Sequence, residues 1–280
     1  MKIERWQDLE KKGALFLSRL FACVQFEASG GSNANESDIV VTTHNGKYIC
    51  SIEAKMTPAQ AGQITLVDDG DTSSFLLSKR SRNPKNPYDA KIIGYLNSHY
   101  EHFSPADRSG KSLDIPESLL IGWVKSHYKS KGNSWILSVA HGAELSKERV
   151  TLVPIDELEH YFTVHTSFRV KQSGSQNISK KRKAEAIAAI QKRYPDVDAS
   201  TDIDFDTRKM YLKKDIGNGK VRLEDGYFIG EKRDDGCYVI TRRNLTKKPN
   251  PNIMFVITLK SSNFQEDAFK KFLKSVGVHC

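Results

Sequence analysis

SDIVVTTHNGKYICSIEAKM, residues 37–56, holds two strand-like runs with a turn between them. Ile39, Val40 and Val41 are β-branched, and Tyr48, Cys50 and Ile52 alternate with Ile49, Ser51 and Glu53. Asn45-Gly46 is a strong hairpin signal, because a tight two-residue turn needs positive φ. A hairpin sets the start of its first strand beside the end of its second. Asp38 and Glu53 lie at about equal distance from the turn, so they should meet at the open end. Residues two apart on a strand share a face, so Lys55 points the same way as Glu53. The Ala54 carbonyl lies between them as a third oxygen. Two readings fit this end: a rim that carries a salt bridge, or a carboxylate pair that holds a metal. Magnesium takes hard oxygen ligands, usually one or two carboxylates with waters and phosphate oxygens. The joint pattern D-x(14)-E-x-K inside apolar runs favours the metal reading.

Working outward, residues 5–24 read as an amphipathic helix, with Trp6, Leu9, Phe16 and Leu20 at helical spacing. VQFEAS (24–29) reads as a short strand and GGSNAN (30–35) as a glycine-rich loop. After the hairpin, TPAQAGQ (57–63) suits a short helix or loop, with Pro58 in its first turn. ITLVDDGDTSSFLLS (64–78) reads as a second hairpin turning at Asp69-Gly70, and SKRSRNPKNP (78–87) as a basic loop. DAKIIGYLNSHYEHF (89–103) is a helix by pattern, while SLLIGWVKSH (118–127) and SWILSVA (134–140) are apolar runs that suit strands. VTLVPIDELEHYF (150–162) reads as a strand feeding a short helix. Further on come a strand with a glycine turn (167–180), a basic helix (179–194), a strand pair (220–244), a strand (252–260) and a closing helix (267–277). The order is that of an α/β or α+β chain.

Asp38 followed by Glu53-Ala54-Lys55 resembles the signature of the PD-(D/E)XK nuclease superfamily, and most resembles a type II restriction endonuclease. The order of a helix bearing Glu10, then FEASGGSN, ESDIVV and YICSIEAK, is similar to the core of restriction enzymes and Holliday-junction resolvases. Ser37 stands where the name-giving proline would be. The resemblance implies an α/β fold with a central mixed β-sheet flanked by helices, over residues 1–165. An additional basic α+β region, 166–280, would recognise DNA, packed on the same core or apart from it. It implies that Asp38 and Glu53 are metal ligands together with the Ala54 carbonyl, that Lys55 is the catalytic lysine, and that Glu10 is an accessory acid. The metal would be Mg²⁺, with Mn²⁺ as a substitute. The activity would be sequence-specific hydrolysis of double-stranded DNA by a homodimer, with dependence on base modification as a variant. A structure-selective nuclease, such as a junction resolvase, and a non-catalytic DNA-binding protein are the alternatives.

The charge distribution agrees with a polyanion partner. Residues 1–165 carry 19 Lys and Arg against 20 Asp and Glu, whereas residues 166–280 carry 24 against 14. A solvated basic surface is the plainer reading of the same numbers. Candidate DNA contacts are Gln60 and Gln63 beyond the motif, and Lys79, Arg80 and Arg82 in the basic loop. Arg169, Lys171, Ser173 and Ser175 flank a glycine turn, Lys180, Lys181, Arg182 and Lys183 open a helix, and Arg242 and Arg243 sit near a strand end. Cationic residues at a helix N-terminus oppose its dipole, which makes sense where they face a polyanion. No GxxxxGK[ST] loop or HExxH pattern is present. The four cysteines lack metal-ligand spacing, and reduced thiols in a cytoplasmic protein are expected, with Cys50 buried. No apolar run is long enough for a membrane span, and charges within MKIERWQDLEKKGALFLSRLF argue against a signal peptide.

Overall fold

The computed structural model describes residues 6–29, 37–79, 86–103, 110–178, 180–206, 209–217, 219–233 and 235–280. The chain forms two units: residues 1–170 with 250–280, and residues 171–249.

The first unit opens with α1 (Trp6–Leu20), then β1 (Gln25–Ala28), β2 (Ile39–Thr42), β3 (Tyr48–Thr57), β4 (Ala59–Asp69) and β5 (Ser74–Leu77). It continues with α2 (Asp89–Ser98), α3 (Tyr100–Phe103), β6 (Lys111–Ser112), α4 (Glu117–Ser130), β7 (Asn133–Ala140), β8 (Val150–Pro154), α5 (Leu158–Tyr161) and β9 (Phe162–Asn177), which leads into the second unit. A five-stranded sheet runs β1-β2-β3-β7-β8. Its pairings are antiparallel except β3 with β7, which is parallel. Helices cover both faces. Leu9 and Leu17 of α1 share a core with Val41, Ile52, Leu137 and Leu152, while Trp123 and Val124 of α4 share another with Ile136 and Val153. Burial at a period of two along β2 and of three to four along α1 explains why these segments take these forms.

The Asn45-Gly46 turn forms, with Gly46 at φ +81°. Ile39 pairs with Ile52 and Val41 with Cys50, which sets Asp38 next to Glu53. Several segments depart from the sequence reading. Thr57 ends β3 and residues 59–63 open β4 rather than a helix or loop, because β4 takes up the free edge of residues 252–257. Residues 118–127 are helix α4: Leu120, Ile121, Trp123, Val124, His127 and Tyr128 are all buried, a stripe at helical rather than alternating spacing. The expected glycine turn near Gly174 is continuous strand in β9. Cys23 and Cys280 form a disulfide rather than remaining reduced, with Cα atoms 5.1 Å apart. The last helix brings them together, since Phe269 packs 4.8 Å from Phe21 at the end of α1.

The second unit holds α6 (Lys183–Arg193), β10 (Ile203–Asp206), β11 (Lys209–Leu212), β12 (Val221–Arg222), β13 (Tyr227–Lys232) and the start of β14 (Tyr238–Leu259). Its antiparallel strands run β10-β11-β14-β13-β12 over a core of Ile190, Met210, Leu212, Ile229, Tyr238 and Ile240. β14 then returns to the first unit, followed by α7 (Glu266–Ser275). The compact unit therefore ends at 249, not at the C-terminus as the charge boundary suggests, because Phe269 and Leu273 of α7 fill the core under β3 and β7. Among the described residues no helix is long and apolar enough to cross a membrane.

Candidate active site

Asp38, Glu53 and Lys55 meet at the open end of the β2–β3 hairpin. Lys55 Nζ lies 2.7 Å from Glu53 Oε1 and 3.5 Å from Asp38 Oδ2. The Ala54 N–H donates to Asp38 Oδ2 at 2.9 Å, which fixes that carboxylate against the strand. Ser37 is buried, and its hydroxyl donates to the Lys131 carbonyl at 2.9 Å. It thereby ties the start of β2 to the loop after α4, a link that proline could not make.

Glu53 is 1 % exposed, so its charge depends on partners. Lys131 Nζ approaches Oε2 at 2.8 Å and Oε1 at 3.1 Å, and Asn133 Nδ2 donates to Oε2 at 2.6 Å. Burial alone would raise the Glu53 pKa; the ammonium groups of Lys55 and Lys131 outweigh it and hold the carboxyl ionised below its usual range. Asp38 moves the opposite way, raised by burial and by the Glu53 charge. Lys55 is held protonated above its usual range: burial opposes this, but Glu53, Tyr128 and Asp38 prevail.

Glu10 reaches this cluster from α1. It is buried, and its pKa is raised to about 7 by burial and then by the charge of Asp38, against the pull of Lys55. Tyr128 backs the site from α4. Its hydroxyl is buried without a hydrogen-bond partner among the described residues, and its ring lies 6.0 Å from Lys131 Nζ. His127 stacks 5.0 Å from Trp123, and burial with the nearby Lys131 lowers its pKa to about 4, so the ring is neutral.

A strand over 118–127 gives no reason to bring Lys131, Asn133, His127 or Tyr128 to the site; the helix does. The spacing of Leu120, Val124 and Tyr128 was the available signal: it makes a helix whose end delivers Lys131 to Glu53. The parallel pairing of β3 with β7 then places Asn133 beside Ser51, at the same end.

The other candidates are scattered. Gln60, Gln63, Lys79 and Arg169 are exposed on the first unit. Lys180, Lys181 and Arg182 form an exposed 3₁₀ turn ahead of Lys183, whose Nζ lies 5.6 Å from the Phe205 ring. Arg242 donates to the Asp225 carbonyl at 3.3 Å and lies 5.5 Å from the Tyr227 ring. Arg80 and Arg82 lie outside the described residues, as do the side chains of Lys171, Ser173, Ser175 and Arg243.

A mixed sheet between helices, with an acid–acid–lysine cluster at the end of two central strands, defines a restriction-endonuclease-like fold. Among solved structures the chain is similar to HhaI endonuclease in complex with DNA. The TM-score is 0.75 at 25 % identity, covering 96 % of this chain and 99 % of that one. No family model matches the sequence, and no curated protein matches it.

Proposed function

We propose that this chain is a Mg²⁺-dependent endonuclease of the PD-(D/E)XK type that hydrolyses double-stranded DNA at a specific sequence. The observation that carries this reading is the meeting of Asp38, Glu53 and Lys55 on one hairpin end, within a fold similar to HhaI endonuclease.

The donor set suits magnesium. Although among the described residues no group of three or more His, Cys, Asp or Glu is placed to hold an ion, the carboxylates of Asp38 and Glu53, both within 3.5 Å of Lys55 Nζ, and the Ala54 carbonyl between Glu53 and Lys55 all offer hard oxygens. Mg²⁺ binds in this way, keeping several waters and taking substrate phosphate oxygens. Asp38 is costly to ionise through burial and the Glu53 charge beside it, a cost that a bound cation would relieve. Asp38, Glu53 and the Ala54 carbonyl would hold the ion. When bound, it polarises the scissile phosphate and makes water a stronger nucleophile.

The remaining work falls to the chain. The Ala54 N–H aims Asp38, while Lys131 and Asn133 aim Glu53. The Lys55 ammonium orients the attacking water and offsets the charge that builds on phosphate oxygen. Attack at phosphorus breaks the bond to the 3′ oxygen, leaving 5′-phosphate and 3′-hydroxyl ends. Two copies, each cutting one strand, account for double-strand cleavage.

Digestion of several phage DNAs with Mg²⁺ tests the proposal. Discrete fragments are expected from the parent, and none from Asp38→Ala, Glu53→Ala or Lys55→Ala, with DNA binding retained. Full cleavage by Asp38→Ala or Glu53→Ala would sink the assignment. Sedimentation of the protein on a cleavable duplex tests the dimer, and parallel digestion of methylated and unmethylated DNA tests for dependence on base modification.

A further inference from the structure

β4 follows β3 after a single residue, Pro58. It pairs with residues 252–257 of β14, which in turn lies beside β9. The Lys260 N–H donates to the Tyr161 carbonyl at 2.8 Å, fixing that second junction. One face of these three strands is core: Ile64, Leu66, Ile253, Phe255, Val164 and Phe168 are buried in one cluster. The opposite face is mixed: Met254 and Val256 of β14 are half-buried there, beside the exposed Gln63 and Gln60 with which they pair. Along β9 the burial alternates cleanly, so His165 and Arg169 are exposed while Val164 and Phe168 are not.

β4 departs from that alternation. Gln60 and Gln63 are three residues apart, which on a regular strand sends them to opposite faces. Both are exposed. The reason is a bulge: Gly62 pairs with Phe255 and Gln60 with Val256, so Ala61 is an extra residue on β4. Gly62 faces inward, where a Cβ would lie only 2.7 Å from the Trp123 ring. The bulge and the glycine together leave Gln60 and Gln63 exposed on the same side of β4. Beside them, Arg169 reaches across β14, its Nη1 2.8 Å from Met254 Sδ.

We infer that this face, through Gln60, Gln63 and Arg169, reads base edges in a groove of duplex DNA. The inference rests on the nuclease reading above. The chemistry matches the groove code: Gln pairs bidentately with adenine N6 and N7, and Arg with guanine O6 and N7. Reach matches too. Gln60 is five residues past Lys55 and Gln63 eight, so extended chain sets them at most about 17 and 27 Å from the lysine. Both spans fall within one helical turn of DNA, roughly 34 Å. A duplex held at the carboxylates therefore lies within reach of this face, and the maximum spacing is set by one continuous stretch of chain.

The test is selection of bound duplexes from a randomised pool by the full chain without divalent metal, then by Gln60→Ala, Gln63→Ala and Arg169→Ala. The parent should enrich a short sequence. Each variant should lose roughly 5- to 150-fold of the preference at one or two base pairs. It should hold unselected duplex within about twofold of the parent, which also shows that it folds. If all three variants enrich the parent's sequence equally well, the inference is overturned. A uniform loss on every duplex overturns it as well, since that marks phosphate contact. The two proposals fail separately. Enrichment by a parent that cuts nothing with Mg²⁺ removes the nuclease reading and keeps this one; random cutting without enrichment does the reverse.

Discussion

Glu53 lies 2.7 Å from Lys55 and 2.8 Å from Lys131, and Glu224 lies 2.6 Å from Lys192. By distance these are equivalent ion pairs. By environment they are opposites: the Glu53 side chain is 1 % exposed and the Glu224 side chain 61 %. Water has been removed from the first and left on the second. A buried charge draws little help from solvent, so each partner becomes necessary to the others. An exposed pair exchanges one set of favourable contacts for another and gains little. The comparison teaches that the charges this fold depends on are recognised by the cost of holding them, not by their pairing.

The largest break in that comparison comes from Glu53→Ala. It leaves Lys55 and Lys131 facing each other without their counter-ion, and denaturant unfolding should show a loss of about 3–5 kcal/mol. Asp38→Asn should end cleavage as completely without that loss. Its carboxylate is a strained anion rather than a satisfied one, and an amide oxygen can still accept the Ala54 N–H. Equal destabilisation by both substitutions would refute this division of the two acids.

Lys131→Met is the next step down. Glu53 keeps Lys55 and Asn133, so the expected cost is about 2–3 kcal/mol. If Lys131 aims the carboxylate rather than merely stabilising it, kcat on a cleavable duplex should drop more than KM rises. A change in KM alone would assign it a binding role.

The difference between the two lysines also marks how far the sequence could be read. Lys55 follows Glu53 at strand spacing, and an Asn-Gly turn makes the approach of Asp38 a local matter. The hairpin, its register and three members of the cluster were accordingly legible. Lys131 arrives from a helix that composition disguised: Leu119, Leu120, Ile121, Trp123 and Val124 form a nearly continuous apolar run, which strand and helix patterns both accept. Only burial on one side separates them. Gln60 and Gln63 stand out in the sequence as candidate DNA contacts, but that they share a face does not, since a bulge is set by the partner strand and leaves no mark of its own in β4. The Cys23–Cys280 link depends on a docking 257 residues apart in sequence, beyond any local pattern.

Glu10 sharpens the comparison through pH. Its folded pKa is about 7, against 4.5 unperturbed. The native state therefore holds more protons than the unfolded chain between these values, and stability must fall as pH rises through that window. The metal-free protein should lose on the order of 1–3 kcal/mol between pH 5 and pH 8, with Asp38 adding in the same direction. Glu10→Gln cannot ionise and should flatten this dependence, being more stable than the parent at pH 8. A parent whose stability is level across the window would contradict the burial of an acid cluster here.

The smallest effect is expected at Glu224. Its partner Lys192 has a raised pKa, through the hydrogen bond and the charge of Glu224. The sign follows directly: a lysine with a raised folded pKa contributes stability that is present at neutral pH and lost only in strong alkali. Solvent and salt screen the pair, however, and two long side chains lose freedom in forming it. Glu224→Gln should leave the melting temperature within about 1 °C of the parent, with no dependence on salt beyond that of the parent. A larger fall, growing as salt is lowered, would mean that the second unit also depends on specific ion pairs, and the contrast with Glu53 would then be one of degree.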